Sequence, residues 1–339
     1  MKKLTLCLTL LVLGLSDLFL LPSRHLPERS HHVKAAATEQ AEGSAKAGST
    51  DAISVNGLIG AKPEAGQSAP AQNGGANEPI PLDEHIRGWI AMLSKQSAFS
   101  EWKDAEWETF PLGPGTHSWV VLLKKNGSEI GYLIVTSDKE GNLSLTEYGT
   151  GNKPLFSMQT LYQSMMQREI IANYTLTEFA AEPLLEKERY YFGPLESFWK
   201  VTLRHDTFYF DAKTGERMPR LEELAEKQEA ESAAYGGLTG SLAEVNEQTA
   251  VTAFDPNDRA AWIQGNPLSL STIDDLKREL AQTGELTYRA KLLAGQATYP
   301  LAVTGYTVFS NGIAFLAVDH DGDRYVPYRE MAAKGHFFH

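Results

Sequence analysis

Asp319, Asp321 and Asp323 alternate with other residues, and Glu330 falls at the twelfth position counted from Asp319. That is the spacing of a calcium loop, in which several hard oxygen ligands converge on one ion. The sixth position is Arg324, where such a loop turns on glycine, and Pro327 interrupts the remainder. The rival reading, which is the stronger, makes Asp321-Gly322 a hairpin turn joining Ala317-Val318 to Tyr325-Val326 and exposes His320 to solvent. His336 and His339 stand three apart and could share a metal, but no third ligand is evident beside them, and the alternative is a frayed chain end. The sole cysteine, Cys7, lies in an apolar N-terminal run. The remainder of the chain therefore has no internal disulfide, no thiolate-bound zinc and no cysteine nucleophile. No G-x-S-x-G, H-E-x-x-H, Walker or dinucleotide motif is present, so no catalytic residue is assigned and no cofactor is expected. A pair of carboxylates leaves no local motif, which keeps a carboxylate-based hydrolase open as an alternative.

The candidates for recognition are Trp262, Tyr299 and Tyr306. Trp89, Trp102, Trp107, Trp119 and Trp199 recur at helix and strand spacings and read as core. Trp262, in Asp258-Arg259-Ala260-Ala261-Trp262, reads as a surface contact. The formal charge of −12 repels phosphate backbones, and the basic clusters are no more than pairs such as Lys124-Lys125, so no nucleic-acid partner is expected.

Lys2 and Lys3 precede an apolar stretch from Leu4 to Pro22, the arrangement of an export segment. The stretch is about long enough to span a bilayer, at roughly 20 residues per span. Residues 1–22 are therefore read as a signal peptide or a signal anchor, with membrane contact through residues 4–22 if it is not cleaved. Residues 23–80 are rich in Ala, Gly, Ser, Gln and Glu. They bury too little apolar surface to offset chain entropy and are expected to form a disordered spacer.

Order is expected to begin at Pro81-Leu82-Asp83, with Asp83 capping a helix whose stripe is Ile86, Trp89, Ile90 and Leu93. Trp102 and Trp107 fall in a partly helical stretch. Three strands follow, over 117–123, 129–136 and 143–148, separated by turns at Lys125-Asn126-Gly127 and Asp138–Asn142. A helix over 158–173, a short strand at 190–193 and a hairpin of 198–203 with 207–211 make a second unit, closed by the turn Asp211–Glu216. Residues 220–248 are acidic and read as a helical connector. In the last unit, Ser271 or Thr272 caps a helix through Leu280. Strands are expected over 286–293, 301–309, 313–318 and 324–328, followed by a short helix over 328–333.

The hairpin Trp199-Lys200-Val201 with Tyr209-Phe210-Asp211-Ala212-Lys213-Thr214-Gly215-Glu216 resembles the closing hairpin of PepSY-type domains. The segment Gly131–Thr136 looks more loosely like the same helix-plus-meander module. The resemblance covers about residues 82–219 and implies a small extracytoplasmic binding module without catalytic residues. Val303-Thr304-Gly305-Tyr306 resembles the C-terminal half of papain-like peptidases that process double-glycine leaders. Such a peptidase needs a histidine where this chain has Tyr299, so that likeness implies a non-catalytic relic. A small SH3-like barrel fits the strand pattern as well.

The expected fold class is α+β: helix plus antiparallel meander units, two of them PepSY-like, followed by a β-rich C-terminal domain. The expected boundaries are 1–22, 23–80, 81–219, 220–248 and 249–339. The expected function is a non-enzymatic interaction protein of the cell envelope that modulates a protease or another envelope protein there as its protein partner, with a purely structural envelope role as a further alternative. Cell fractionation is expected to recover the chain in the membrane or outside it. Recovery of the intact chain mainly from the cytosol would contradict the export reading.

Overall fold

Helix α1 (Leu82–Leu93) buries the expected stripe of Ile86, Trp89, Ile90 and Leu93, which recurs at helical spacing and so lies on one face. Its cap differs from expectation. Pro81 occupies that position with extended backbone, and Asp83 sits with Glu84 inside the first turn, where both carboxylates face the positive end of the helix dipole. The computed structural model describes residues 81–113, 117–224, 238–239 and 243–339. The export segment and spacer expected over 1–80, and much of the acidic connector, lie outside the described residues. No helix among the described residues is long and apolar enough to cross a membrane.

The stretch around Trp102 and Trp107 divides rather than forming helix. Ser97–Trp102 is a 3-10 turn, and Glu106–Pro111 is strand β1. Strands β2 (Ser118–Lys125), β3 (Ser128–Ser137) and β4 (Leu143–Thr150) form the expected meander, with β1 added on its outer side. Alternation sorts their side chains by face. Val121, Leu123, Leu133, Val135 and Leu145 pack beneath α1, while Val120, Leu122, Tyr132 and Ile134 enter a second cluster on the opposite side.

Helix α2 (Met158–Gln167) is capped by Ser157 and stops short of the expected end. Glu169 and Asn173 adopt positive φ, which breaks the helix. A capping box of Thr175 and Glu178 then starts α3 (Leu176–Ala181). Strands β5 (Leu185–Gly193), β6 (Glu196–Leu203), β7 (Asp206–Asp211) and β8 (Arg217–Met218) make a separate antiparallel sheet. One of its faces, with Trp199, Val201 and Phe210, packs with α2, α3 and the first meander. The other, with Tyr190, Phe198 and Tyr209, joins the core of the C-terminal strands.

The C-terminal strands do not form a sheet of their own. Strands β9 (Leu238–Thr239), β10 (Val245–Ala250), β11 (Thr287–Leu292), β12 (Ala297–Phe309), β13 (Ala314–Asp319), β14 (Asp323–Pro327) and β15 (Gly335–Phe338) join β1–β4 in one 11-stranded sheet. The joint is β4 against β14, with Tyr148 opposite Tyr325 and Arg324 opposite Gly149. β10 begins inside the stretch expected to be helical connector. Helices α4 (Pro256–Arg259) and α5 (Ala261–Gln264) are single turns. Helix α6 (Ile273–Thr283) starts at Thr272 with a capping box to Asp275 and ends at Gly284 in the left-handed region. Helix α7 (Tyr328–Lys334) leads into β15. The chain end, expected to fray, pairs instead with β11 and buries Phe337 and Phe338. The fold is thus α+β with antiparallel sheets, and the described residues fall within one compact unit.

β12 bends at Gly305. Its first half pairs with β11, and its second half lies between β10 and β13, with a bulge at Val303/Gly305. Gly305 has φ +152°, and a Cβ there would lie 2.1 Å from the Thr249 carbonyl oxygen. Both the backbone angle and the approach of β10 therefore require glycine. Gly305→Ala is expected to cost at least about 3 kcal/mol, read as a lower urea midpoint. An unchanged midpoint would mean that β10 does not approach this closely.

Candidate functional site

Among the described residues, two places stand out: a buried cluster of ionisable side chains where three parts of the chain meet, and an open groove beside α1. At the centre of the cluster are Glu147 of β4 and Arg324 of β14, both fully buried. Arg324 Nε donates to Glu147 Oε1 at 2.8 Å, and Nη2 lies at the same distance from that oxygen in ion-pair contact. Tyr132 donates its hydroxyl to Glu147 Oε1 at 2.6 Å, and Tyr191, from β5 of the other sheet, donates to Oε2 at 3.0 Å. The carboxylate is therefore engaged through both oxygens. Burial alone would push the Arg324 guanidinium down. The negative charge of Glu147, with contributions from Tyr132 and Asp211, outweighs that and holds it above its ordinary value.

Arg324 Nη1 lies 2.9 Å from His320 Nδ1. Arginine can only donate, so Nδ1 accepts, and the imidazole is neutral with its proton on Nε2. Burial lowers the His320 pKa to about 4, with Arg324 and Lys213 adding to the shift and Asp211 and Asp321 opposing it. The Tyr299 ring stands edge-on to His320 at 5.1 Å, and its hydroxyl donates to Asp211 Oδ2 at 3.0 Å. Asp211 Oδ1 accepts from the backbone N–H groups of Lys213 and Thr214, both at 2.8 Å, which folds the turn after β7. Burial would raise the Asp211 carboxyl, but the Thr214 and Lys213 amides and the charge of Arg324 bring it below its ordinary value. Lys213 donates to the carbonyls of Lys153 and Asp321, and burial depresses it to about 8. With Lys153 paired to Asp321, three anions (Glu147, Asp211 and Asp321) and three cations (Arg324, Lys213 and Lys153) thus surround a neutral histidine.

The sequence-derived candidates separate. Tyr299 belongs to this cluster. Tyr306 is buried in β12 and donates to Glu247 at 2.7 Å. Trp262 is half-buried on α5, with its backbone carbonyl accepting from Arg289, and its neighbour Ile263 is exposed. The aspartates lie in the expected hairpin. Asp319 accepts from the Gly322 N–H at 3.0 Å, Asp323 accepts from Thr304 at 2.7 Å, and Asp321 meets Lys153 at 3.4 Å, while Glu330 stands on α7. Among the described residues no group of three or more His, Cys, Asp or Glu side chains is placed to hold a metal. His320, expected to be exposed in that turn, is buried instead, because β12 and the Asp211 turn close over it. His336 lies in β15, and His339 lies 3.1 Å from Glu279.

Glu147, Arg324, Asp211 and Lys213 were not singled out as site residues. Glu147 and Arg324 are 177 positions apart, and each occupies an ordinary strand, so no local spacing marks them. Asp211 and Lys213 carried only the turn motif.

The second place is a groove of about 690 Å³ between α1 and the start of β1, floored by Ile90, Ala105 and Trp107 and flanked by Arg87, Lys95 and Lys103. The Arg87 guanidinium stands 5.6 Å from the centre of the Trp107 ring. No family model, no curated protein and no solved structure matches this chain.

The neutral buried histidine sets a pH dependence. Unfolded His320 takes up a proton near its ordinary 6.5 and folded His320 only near 4, so between these values the unfolded chain binds more protons. Stability is expected to fall by roughly 2–3 kcal/mol as pH drops from 7 to 4.5. His320→Gln should flatten that part of a urea-midpoint profile. An equal slope in the variant would assign the loss to other groups.

Proposed function

We propose that this protein is a non-enzymatic binding module of the cell envelope, held outside the cytoplasm by its N-terminal apolar segment. The observation that carries the reading is the state of His320. It is the C-terminal side chain best suited to general-base work. Its Nδ1 is occupied by Arg324, its ring is buried, and its pKa lies about two to three units below the neutral range a base needs. Tyr299, which stands where the peptidase-like pattern would need a histidine, is spent on Asp211.

The architecture adds support to the PepSY-like part of the proposal. A helix followed by an antiparallel meander occurs twice in succession, as α1 with β2–β4 and as α2 with β5–β7. The second meander is closed by the Asp211–Glu216 turn, whose aspartate holds its own backbone. Such a module presents surface rather than chemistry, and the export segment would place that surface where envelope proteins are its partners.

The test is turnover. The full chain is expected to leave casein and isolated cell-wall sacculi uncleaved across pH 5–8, as read by mass spectrometry of released fragments. Cleavage that persists through purification and disappears in His320→Ala or Asp211→Asn would overturn the proposal. The same variants, assayed for folding by circular dichroism, separate lost chemistry from lost structure.

A further inference from the structure

β1 is an outermost strand of the large sheet, and among the described residues nothing pairs with its outer edge. Its register fixes which groups are free. Glu106 lies opposite Lys124 and Trp107 opposite Leu123, and the N–H of Leu112 donates to the Ser118 carbonyl in the same alternation. In an antiparallel pair, alternate residues bond to the partner strand and those between point away. Residues 106, 108 and 110 therefore bond inward, and the N–H and C=O groups of Trp107 and Thr109 point out. Pro111 has no N–H and ends the free edge on one side. On the other, the Ala105 N–H is taken by the Trp102 carbonyl.

The same two residues turn their side chains to the α1 face of the sheet, because their partners Leu123 and Val121 lie in the core beneath α1. The free edge and the groove are thus adjacent, with α1 as the wall and Trp107 in the floor. Arg87 and Lys103, both exposed, line the groove, and neither has a carboxylate partner among the described residues. Lys95 is loosely paired with Glu244 at 3.7 Å, and Asp104 is the only carboxylate in the lining. In a chain of net charge −12 this is a local excess of cations. The opposite face of β1 carries Glu106 and Glu108, the latter 2.7 Å from Lys124.

We propose, building on the binding role above, that β1 and this groove take up an extended acidic peptide segment of a partner protein as an added strand. The free groups of Trp107 and Thr109 pair with its backbone. Side chains on its groove side are apolar against Ile90 and Trp107 and carboxylate against Arg87 and Lys103. Those on its other side are uncharged or basic, because they meet Glu106 and Glu108. Main-chain pairing supplies the affinity and the alternating side chains the choice of partner. The short free edge, bounded by Pro111, limits the bonded stretch to a few residues.

The probe is the labelled peptide acetyl-Glu-Thr-Ile-Thr-Glu-Thr-amide, with its Lys-for-Glu counterpart, titrated against the full chain by fluorescence anisotropy. The acidic peptide should bind on the order of tenfold more tightly than the basic one, and Arg87→Glu with Lys103→Glu should reverse the order. Two N-methylated versions, one blocking the Glu and Ile amides and one the intervening Thr amides, separate the two edges of the bound strand. One should lose binding and the other keep it. Hydrogen exchange at the Trp107 and Thr109 amides should slow when peptide is added. Absence of binding, binding indifferent to N-methylation, or protection elsewhere would overturn the strand-addition inference. Protection of these amides that rises with protein concentration alone would do the same, in favour of a second copy of the chain. Binding that survives those negative results leaves the wider binding role standing, whereas cleavage of the peptide would overturn that role itself.

Discussion

The Glu147–Arg324 pair ties together parts of the chain that no short-range preference could hold. It lies where β4 meets β14, which is where the first meander becomes continuous with the C-terminal strands. Two ions removed from water carry a desolvation cost of several kcal/mol each, offset only when the geometry is good and the remaining lone pairs are occupied. Tyr132 and Tyr191 occupy them from neighbouring elements. Tyr191 comes from the second sheet, so one carboxylate bonds to side chains of both sheets. Loss of either ion would leave the other buried and unpaired, which typically costs about 3–5 kcal/mol. The joint is therefore specific rather than merely adhesive.

Around that pair the charges are arranged to cancel. Arg324 reaches on to His320, His320 packs on Tyr299, and Tyr299 holds Asp211, whose turn presents Lys213 to two carbonyls. Each member restricts the protonation state of the next. Because Arg324 donates into the imidazole, a protonated His320 would place two cations in contact, and burial acts in the same direction. A run of perturbed ionisable groups often marks an active site. Here the groups face one another, and their hydrogen bonds join three segments of the chain.

What the sequence revealed follows from range. Local signals were legible: the α1 stripe, the meander with its turns at Gly127 and Gly141, the Thr272 cap and the Asp321-Gly322 hairpin all depend on residues within a few positions of each other. β1 was missed because Glu106–Pro111 lacks the apolar alternation of a buried strand; it is half-exposed along its length, as an edge strand must be. β15 was missed because two histidines and a chain end suggested fraying, whereas Phe337 and Phe338 anchor it against β11. The charged cluster was illegible for a different reason. Its members look like ordinary polar residues on strand surfaces until a second layer covers them. His320 is the clearest instance, since a hairpin turn predicts exposure and only the approach of the Asp211 turn and Tyr299 buries it.

The two candidate places are linked by that covering. The C-terminal strands extend the sheet from β4, the inner side of the meander, and so leave β1 at the far edge. Had they added to β1 instead, the groove beside α1 would have been closed and β4 left open. The topology therefore decides which edge is free among the described residues, and the buried ion pair sits at the joint that sets it. That edge is also the one flanked by Arg87 and Lys103, which have no carboxylate partner among the described residues, and by a half-buried tryptophan, while the edge that was covered carries the Glu147–Arg324 pair. An edge strand left bare usually invites self-association. In this one the outward groups are confined between the turn at Trp102–Ala105 and Pro111, which is short enough to resist sheet-on-sheet growth and long enough to engage a brief extended segment.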